Sequence, residues 1–245
     1  MFSFIFQNLL YNPLYNLLIF LGLILPGNDI GLAIITLTLI IKTVILPISH
    51  KANRLQKKIK EIDPAIKEIR KKCQDKEEQT KQLMELYKNH GVNPLTSILL
   101  LFIQMPIILT LFYLFYKGFE YRLDIIYPFL QTISTDIFSV DFLGLLNVNE
   151  PYLLAAFLVG LTQFIQINIS LPPVKIDKNK KELDFKDNLS KSFSLQMRYV
   201  MPFIFIFIAA KLPLAVCLYW ITSNLFTIGH ELFFKKKVKD ISKTC

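Results

Sequence analysis

Charged and apolar residues occupy separate stretches of this 245-residue sequence. Apolar blocks alternate with tracts crowded with Lys and Arg, and no Lys or Arg precedes Lys42. A soluble domain mixes the two, because each of its surface elements needs a polar face. A bilayer separates them, because a charge near its centre costs about 2.5–3.5 kcal/mol on insertion scales. The chain is 53% hydrophobic and only 19% charged, with a mean hydropathy of +0.42. The segregation therefore predicts an all-α membrane protein.

The net charge of +9 would fit a nucleic-acid binder, but its placement does not. Of 28 basic residues, 24 fall in three tracts, at 51–92, 171–198 and 235–245, each beside an apolar block. Basic tracts in that position set topology and touch anionic lipid. DNA is not an expected partner. Cys73, Cys217 and Cys245 are too scattered for a disulfide framework, and His50, His90 and His230 lack metal-ligand spacing, so neither metal nor cofactor is expected. The apolar N-terminus has no basic start and no small-residue cleavage signature, so no cleaved signal peptide is expected.

The pattern predicts the following organisation. Residues 1–29 form an interfacial amphipathic helix on the outer side, with Asn12 and Asn16 on a weakly polar stripe. Five spans follow, at 30–50, 93–116, 151–170, 197–211 and 213–234. Residues 51–92 hold twelve Lys and Arg, with apolar residues at helical spacing (Leu55, Ile59, Ile62, Ile66 and Ile69, then Leu83, Leu86 and Tyr87), which predicts a helical hairpin with a polar turn at 71–75. An outer loop, 117–150, carries five acids against two bases and is expected to lie on the outer surface as short amphipathic pieces. A polar loop at 171–196 and a basic tail at 235–245 complete the chain. Lys211-Leu212-Pro213 is so short a turn that the last two spans are expected to be close antiparallel neighbours. Five spans put all three basic tracts on one face. By the positive-inside rule that face is cytoplasmic, with the N-terminus outside.

Lys42 stands about 18 Å into the first span, near mid-bilayer. Thr38 precedes it by one turn and Ser49 follows by two. An ionisable residue at that depth either faces a protein interior or water-filled cavity, or snorkels to the headgroups. The other spans contribute Gln104; Thr162, Gln163 and Gln166; and Thr222, Ser223 and Asn224 after Tyr219-Trp220, with Thr227 one turn on. Each alone is explained by a helix–helix hydrogen bond. As a set with Lys42 they predict a hydrophilic groove. The spans are read as free of acidic residues, which leaves Lys42 without a buried counter-ion. No phosphate-binding loop is present, so the work expected of such a groove is passive: it would lower the desolvation cost of polar segments of a polypeptide crossing the membrane.

Several stretches, in order, resemble the YidC/Oxa family of membrane protein insertases: Lys42-Thr43-Val44-Ile45-Leu46-Pro47, then a basic hairpin, Leu86-Tyr87-Lys88, Val92-Asn93-Pro94-Leu95, Ile103-Gln104-Met105-Pro106-Ile107, and Leu218-Tyr219-Trp220-Ile221-Thr222-Ser223-Asn224-Leu225. They cover most of residues 10–237. The resemblance implies five helices around a groove open to the cytoplasm and to lipid and closed outside, in the bacterial plasma membrane. It implies insertion of nascent membrane proteins, alone or with the Sec translocon. It implies substrate recruitment by the hairpin (Lys57, Lys58, Lys60, Arg70, Lys71 and Lys72) and ribosome or lipid contact by Lys235, Lys236, Lys237 and Lys239. The sequence is of the short kind expected to lack the large outer domain of some relatives. One departure stands out: the family's groove charge is usually arginine, whereas Lys42 keeps the charge without the planar fork.

Two other classes fit less well. A small anion transporter or channel could use Lys42, but no internal repeat is visible. An intramembrane hydrolase would need Ser223 and His230 together, yet they stand about 10 Å apart along one helix.

Overall fold

The structure is a computed structural model that describes residues 7–73, 75–91, 109–110, 112–115, 125–130, 137–170 and 195–241. The chain divides into two compact units, Met1–Lys42 with Thr110–Cys245, and Thr43–Leu109. Helices dominate both: α1 (Asn12–Ile24), α2 (Ile30–Glu61), α3 (Asp63–Lys72), α4 (Lys76–Asn89), α5 (Leu153–Ser170), α6 (Met201–Ala209) and α7 (Leu214–Ile241). A two-stranded antiparallel hairpin, β1 (Asp141–Phe142) and β2 (Leu146–Asn147), lies between α4 and α5 in sequence. Among the described residues, two helical segments are long and apolar enough to cross a membrane, Ile30–Ser49 and Leu153–Ser170. Most of the expected span at 93–116 and of the polar loop at 171–196 lies outside the described residues; residues 109–110 and 112–115 are helical.

The first unit is organised from one end. Asp29 caps α2: its Oδ1 accepts from the Leu32 amide at 3.1 Å, while its Oδ2 accepts from the Leu143 amide at 2.6 Å. The Ile30 amide donates to Ser139 O, and the Ser139 amide to Asn28 O. These bonds fasten the start of α2 to the hairpin. The other side of the hairpin fastens α7, since the Leu214 and Ala215 amides donate to Glu150 O and Val148 O at 2.8 and 2.9 Å. Four amides at a helix start have no partner within the helix, and here loop carbonyls supply two of them. Leu153 begins α5 three residues after Glu150. The segment 139–150 thus joins the N-terminal ends of α2, α5 and α7.

The expectation of a polar stripe on the N-terminal helix is corrected at Asn16, which is buried. Its Nδ2 donates to Ile125 O at 2.9 Å and to Asn12 O at 2.8 Å, and its Oδ1 accepts from the Tyr127 amide at 2.7 Å. The amide replaces water with backbone groups more than 100 residues away in sequence, so the face that looked suited to the headgroups is turned inward. Tyr15, Leu18, Ile19 and Leu21 are buried with it.

α5 packs on both α6 and α7. Gly160 permits the first contact: a Cβ there would overlap the Ile206 side chain. Small residues allow this close approach between spans, where lipid removes the hydrophobic driving force. α6 and α7, joined by the tight turn at 211–213, are less closely apposed than either is to α5 but still meet through side chains. The Phe205 and Trp220 rings bridge them edge to face, with centroids 4.8 Å apart.

In the second unit, α2 runs unbroken from the apolar stretch into the basic tract as far as Glu61. The helix breaks at Ile62, and Pro64, whose missing amide proton costs nothing in a first turn, starts α3. Ile62 and Ile66 are buried. Asp75 caps α4 by accepting from the Glu77 amide, with Glu77 and Glu78 in the first turn and Lys88 in the last, all favourable to the helix dipole. α3 and α4 pack on each other. Across their turn Cys73 Sγ donates to Gln82 Oε1, and Gln79 Nε2 donates to Cys73 O.

Candidate functional site

Lys42 sits on the sheltered side of α2. Thr38, one turn earlier, is fully buried, and Ile45, Leu46 and Ser49, on the same side, are partly buried. The opposite side carries Leu39, Ile40, Val44 and Ile48, all exposed. Lys42 itself is half-buried. A lysine that merely snorkelled from the lipid face would belong to the Leu39–Val44 side. Thr38 spends its hydroxyl on its own helix, donating to Ile34 O at 2.7 Å.

The remaining groove candidates divide by burial. Gln163 and Gln166 on α5, and Trp220 and Thr222 on α7, are partly exposed. Tyr219, Ser223 and Asn224 are buried. Asn224 is committed to helix pairing: its Nδ2 donates to Thr162 Oγ1 at 3.1 Å. Thr162 in turn donates to Leu158 O and Val159 O. Ser223 supplies its carbonyl to Thr227 Oγ1. The bond between Thr162 and Asn224, both from the predicted set, holds α5 to α7. Gln104 lies outside the described residues.

The expectation of spans without an acid is corrected by Glu231, which the 213–234 segment contains. Ser170 Oγ donates to Glu231 Oε1 at 2.5 Å. From the Thr162–Asn224 bond to this one, both helices advance towards their C-termini, by eight residues on α5 and seven on α7. The two helices therefore run parallel, as their shared attachment to residues 148–153 requires. The signal in the sequence is a carboxylate in the last turns of an apolar helix.

Of the basic residues singled out, Lys57, Lys58 and Lys60 lie in the C-terminal part of α2, with Lys58 exposed. Arg70, Lys71 and Lys72 end α3, and Lys72 pairs with Glu68 at 2.8 Å on the solvent side. Lys235, Lys236, Lys237 and Lys239 continue α7, so the basic tail begins as helix.

Comparison with known proteins extends these observations. Residues 23–242 match the family model described as 60Kd inner membrane protein. A membrane protein insertase YidC of Clostridium tetani is 32% identical over 212 residues, covering 86% of this chain and 84% of that protein. The YidC of Citrifermentans bemidjiense is 29% identical, covering 87% of this chain but 34% of its own length, and that of Wolinella succinogenes is 30% identical, again over 34% of its length. The chain thus spans about a third of these longer relatives. Among solved structures, a crystal structure of an active YidC insertase with its first transmembrane domain resolved shares the fold, with a TM-score of 0.54 at 20% identity over 91% of this chain and 45% of the other. With nearly the whole sequence matched, the chain belongs to the 60Kd inner membrane protein family, the YidC/Oxa family of membrane insertases.

Proposed function

We propose that this protein is a membrane protein insertase, which receives hydrophobic substrate proteins in a positively charged groove within the membrane and releases them into the bilayer. Family membership supports the activity. The observation that carries the groove is the placement of Lys42 on the sheltered side of α2, beside buried Thr38 and away from exposed Leu39, Ile40 and Val44. A cation held out of lipid attracts water and acidic segments of a passing chain. The partly exposed Gln163, Gln166, Trp220 and Thr222 complete the proposed lining, with Gln104 from the second span. No covalent chemistry is required of any of them.

The reading includes five spans. α2, α5 and α7 start at the same end, so a return crossing must lie between each successive pair. The segment 93–116 provides one and the helix ending at Ala209 the other. The three basic tracts then share the opposite side, which the positive-inside rule makes cytoplasmic, leaving the N-terminus outside. There the end of α2, with Lys57, Lys58 and Lys60, and α3, with Arg70, Lys71 and Lys72, recruit substrates. The basic end of α7 contacts anionic lipid or the ribosome through Lys235, Lys236, Lys237 and Lys239. The Sec translocon is a further proposed partner.

The test uses the purified protein in liposomes and a small single-spanning substrate with an acidic outer segment, scored by protease protection. Wild type and Lys42→Arg are expected to insert it, and Lys42→Leu to fall at least tenfold. Equal insertion by all three removes Lys42 from the groove. Failure of folded wild type to exceed empty liposomes overturns the insertase reading.

A further inference from the structure

We propose that the tip of the outer hairpin is a membrane anchor, with Leu143 and Leu145 seated in the outer interfacial layer of the bilayer. The proposal rests on the reading of α2 and α5 as membrane spans.

The level of the tip is fixed by a bond. The Leu143 amide donates to Asp29 Oδ2 at 2.6 Å, and Asp29 caps the apolar segment Ile30–Ser49. The hairpin tip is thus at the height of a span's outer end, where hydrocarbon gives way to headgroups. Its base is held at the same level, through the amides of Leu214 and Ala215 and the Tyr152 hydroxyl, which accepts from the Asn147 amide. A hairpin fastened at both ends to helix termini has little freedom to rise into water.

The chemistry of the tip suits that layer. Leu145 is 82% exposed and Leu143 62%, and Leu153 in the first turn of α5 is 78% exposed. Residues 125–150 contain no Lys or Arg. The hairpin itself thus offers anionic headgroups no cation, and apolar burial at the boundary must carry its contact. The turn itself is unusual. Leu143 and Gly144 both have left-handed backbones, with φ of 53° and 70°. Asn, Asp or Gly adopts that conformation at low cost, and a leucine does not. Its side chain contributes little to the fold, being mostly exposed, so the residue is accounted for by an external apolar contact.

The test is made on the full chain with Cys73→Ser, Cys217→Ala and Cys245→Ser, carrying either Leu145→Cys or Leu153→Cys labelled with an environment-sensitive NBD dye. The proteins are placed in phosphatidylcholine vesicles, with nitroxide groups at shallow or deep acyl positions. The Leu145 label is expected to be quenched several-fold more by shallow nitroxides than by aqueous iodide, and equally so when anionic lipid is added. If the Leu153 label is quenched by lipid but the Leu145 label only by iodide, the tip stands in water; the proposal fails while the spans stand. If neither label is quenched by lipid, the span reading fails and takes the proposal with it. Label self-quenching at Leu145 that grows with protein density would mean the tip meets a second copy, which also overturns the proposal.

Discussion

Asn224 of α7 donates from Nδ2 to Oγ1 of Thr162 on α5, at 3.1 Å, across a parallel pair of buried helix faces. Inside a membrane such a bond is worth about 0.6 kcal/mol on average and up to about 1.7 kcal/mol. Asn224→Leu and Thr162→Val are each expected to lower stability within that range. A double-mutant cycle measured by unfolding in mixed micelles should give a coupling of about 0.6 kcal/mol. Zero coupling would mean that the two side chains part in the membrane.

Asp29 answers two backbone donors with its two carboxylate oxygens. Asp29→Ala removes a helix cap and leaves the Leu143 amide unpaired, for an expected loss of about 2–3 kcal/mol. Asp29→Asn keeps one acceptor but turns an amide donor towards the other amide, so its loss is expected to be intermediate. Thermal unfolding in detergent ranks the three proteins. Protease nicking within 139–150 should rise in the same order.

Gly160 is a spacing residue between α5 and α6. Gly160→Ala drives a methyl into Ile206, with an expected cost of about 1–3 kcal/mol from overpacking. Ile206→Ala opens the space, so the double variant should be more stable than the sum of the single effects predicts. Additive effects would show that α5 and α6 move apart without resistance.

Glu68 and Lys72 form an exposed pair one turn apart on α3. The Lys72 ammonium, through its hydrogen bond and charge, holds the Glu68 carboxyl below its ordinary range, and Glu68 raises the Lys72 ammonium above its own. The sign follows. Glu68's contribution is present above the ordinary glutamate pKa of about 4.3 and is lost as pH falls through its depressed value; that of Lys72 is present below about 10.4 and is lost as pH rises through its elevated value. Between these limits the pair is constant. Solvent screens it, so Glu68→Gln is expected to leave the melting temperature unchanged near neutral pH. A pH-dependent melt in that interval would require a different titrating group.

The sequence carried the starts of the long helices better than the polar detail. The apolar stretch from Ile30 and the restart after Pro213 are one-dimensional signals, and helices begin where they place them. The partners of Asn16 and Asn224 were not legible, for a common reason. An amide on a helix looks the same whether it faces headgroups, a cavity or another backbone, and the choice depends on partners 109 and 62 residues away. Asp29, directly before an apolar helix, did offer the local signature of a cap. The hairpin offered less: Phe142-Leu143-Gly144-Leu145 lacks the Asn-Gly or Asp-Gly pair that marks such turns, and its strands are two residues long. Of the candidate groove, Lys42 was legible because a lone charge in an apolar helix has few outcomes. The neutral residues were not, since burial separates Gln163 and Thr222 from Ser223 and Asn224 only once the helices are placed.

The ties among the N-terminal ends of α2, α5 and α7 also impose an order on biosynthesis. Asp29 must wait 114 residues for Leu143, and Glu150 and Val148 accept from amides that emerge only with the last helix. While the chain is still being made, this rim is therefore unfinished, and its carbonyls are served by water or by whatever holds the newborn segments. Arrival of Leu214 and Ala215 completes it. The chain itself thus passes through a stage in which this rim is open, and the final helix closes it.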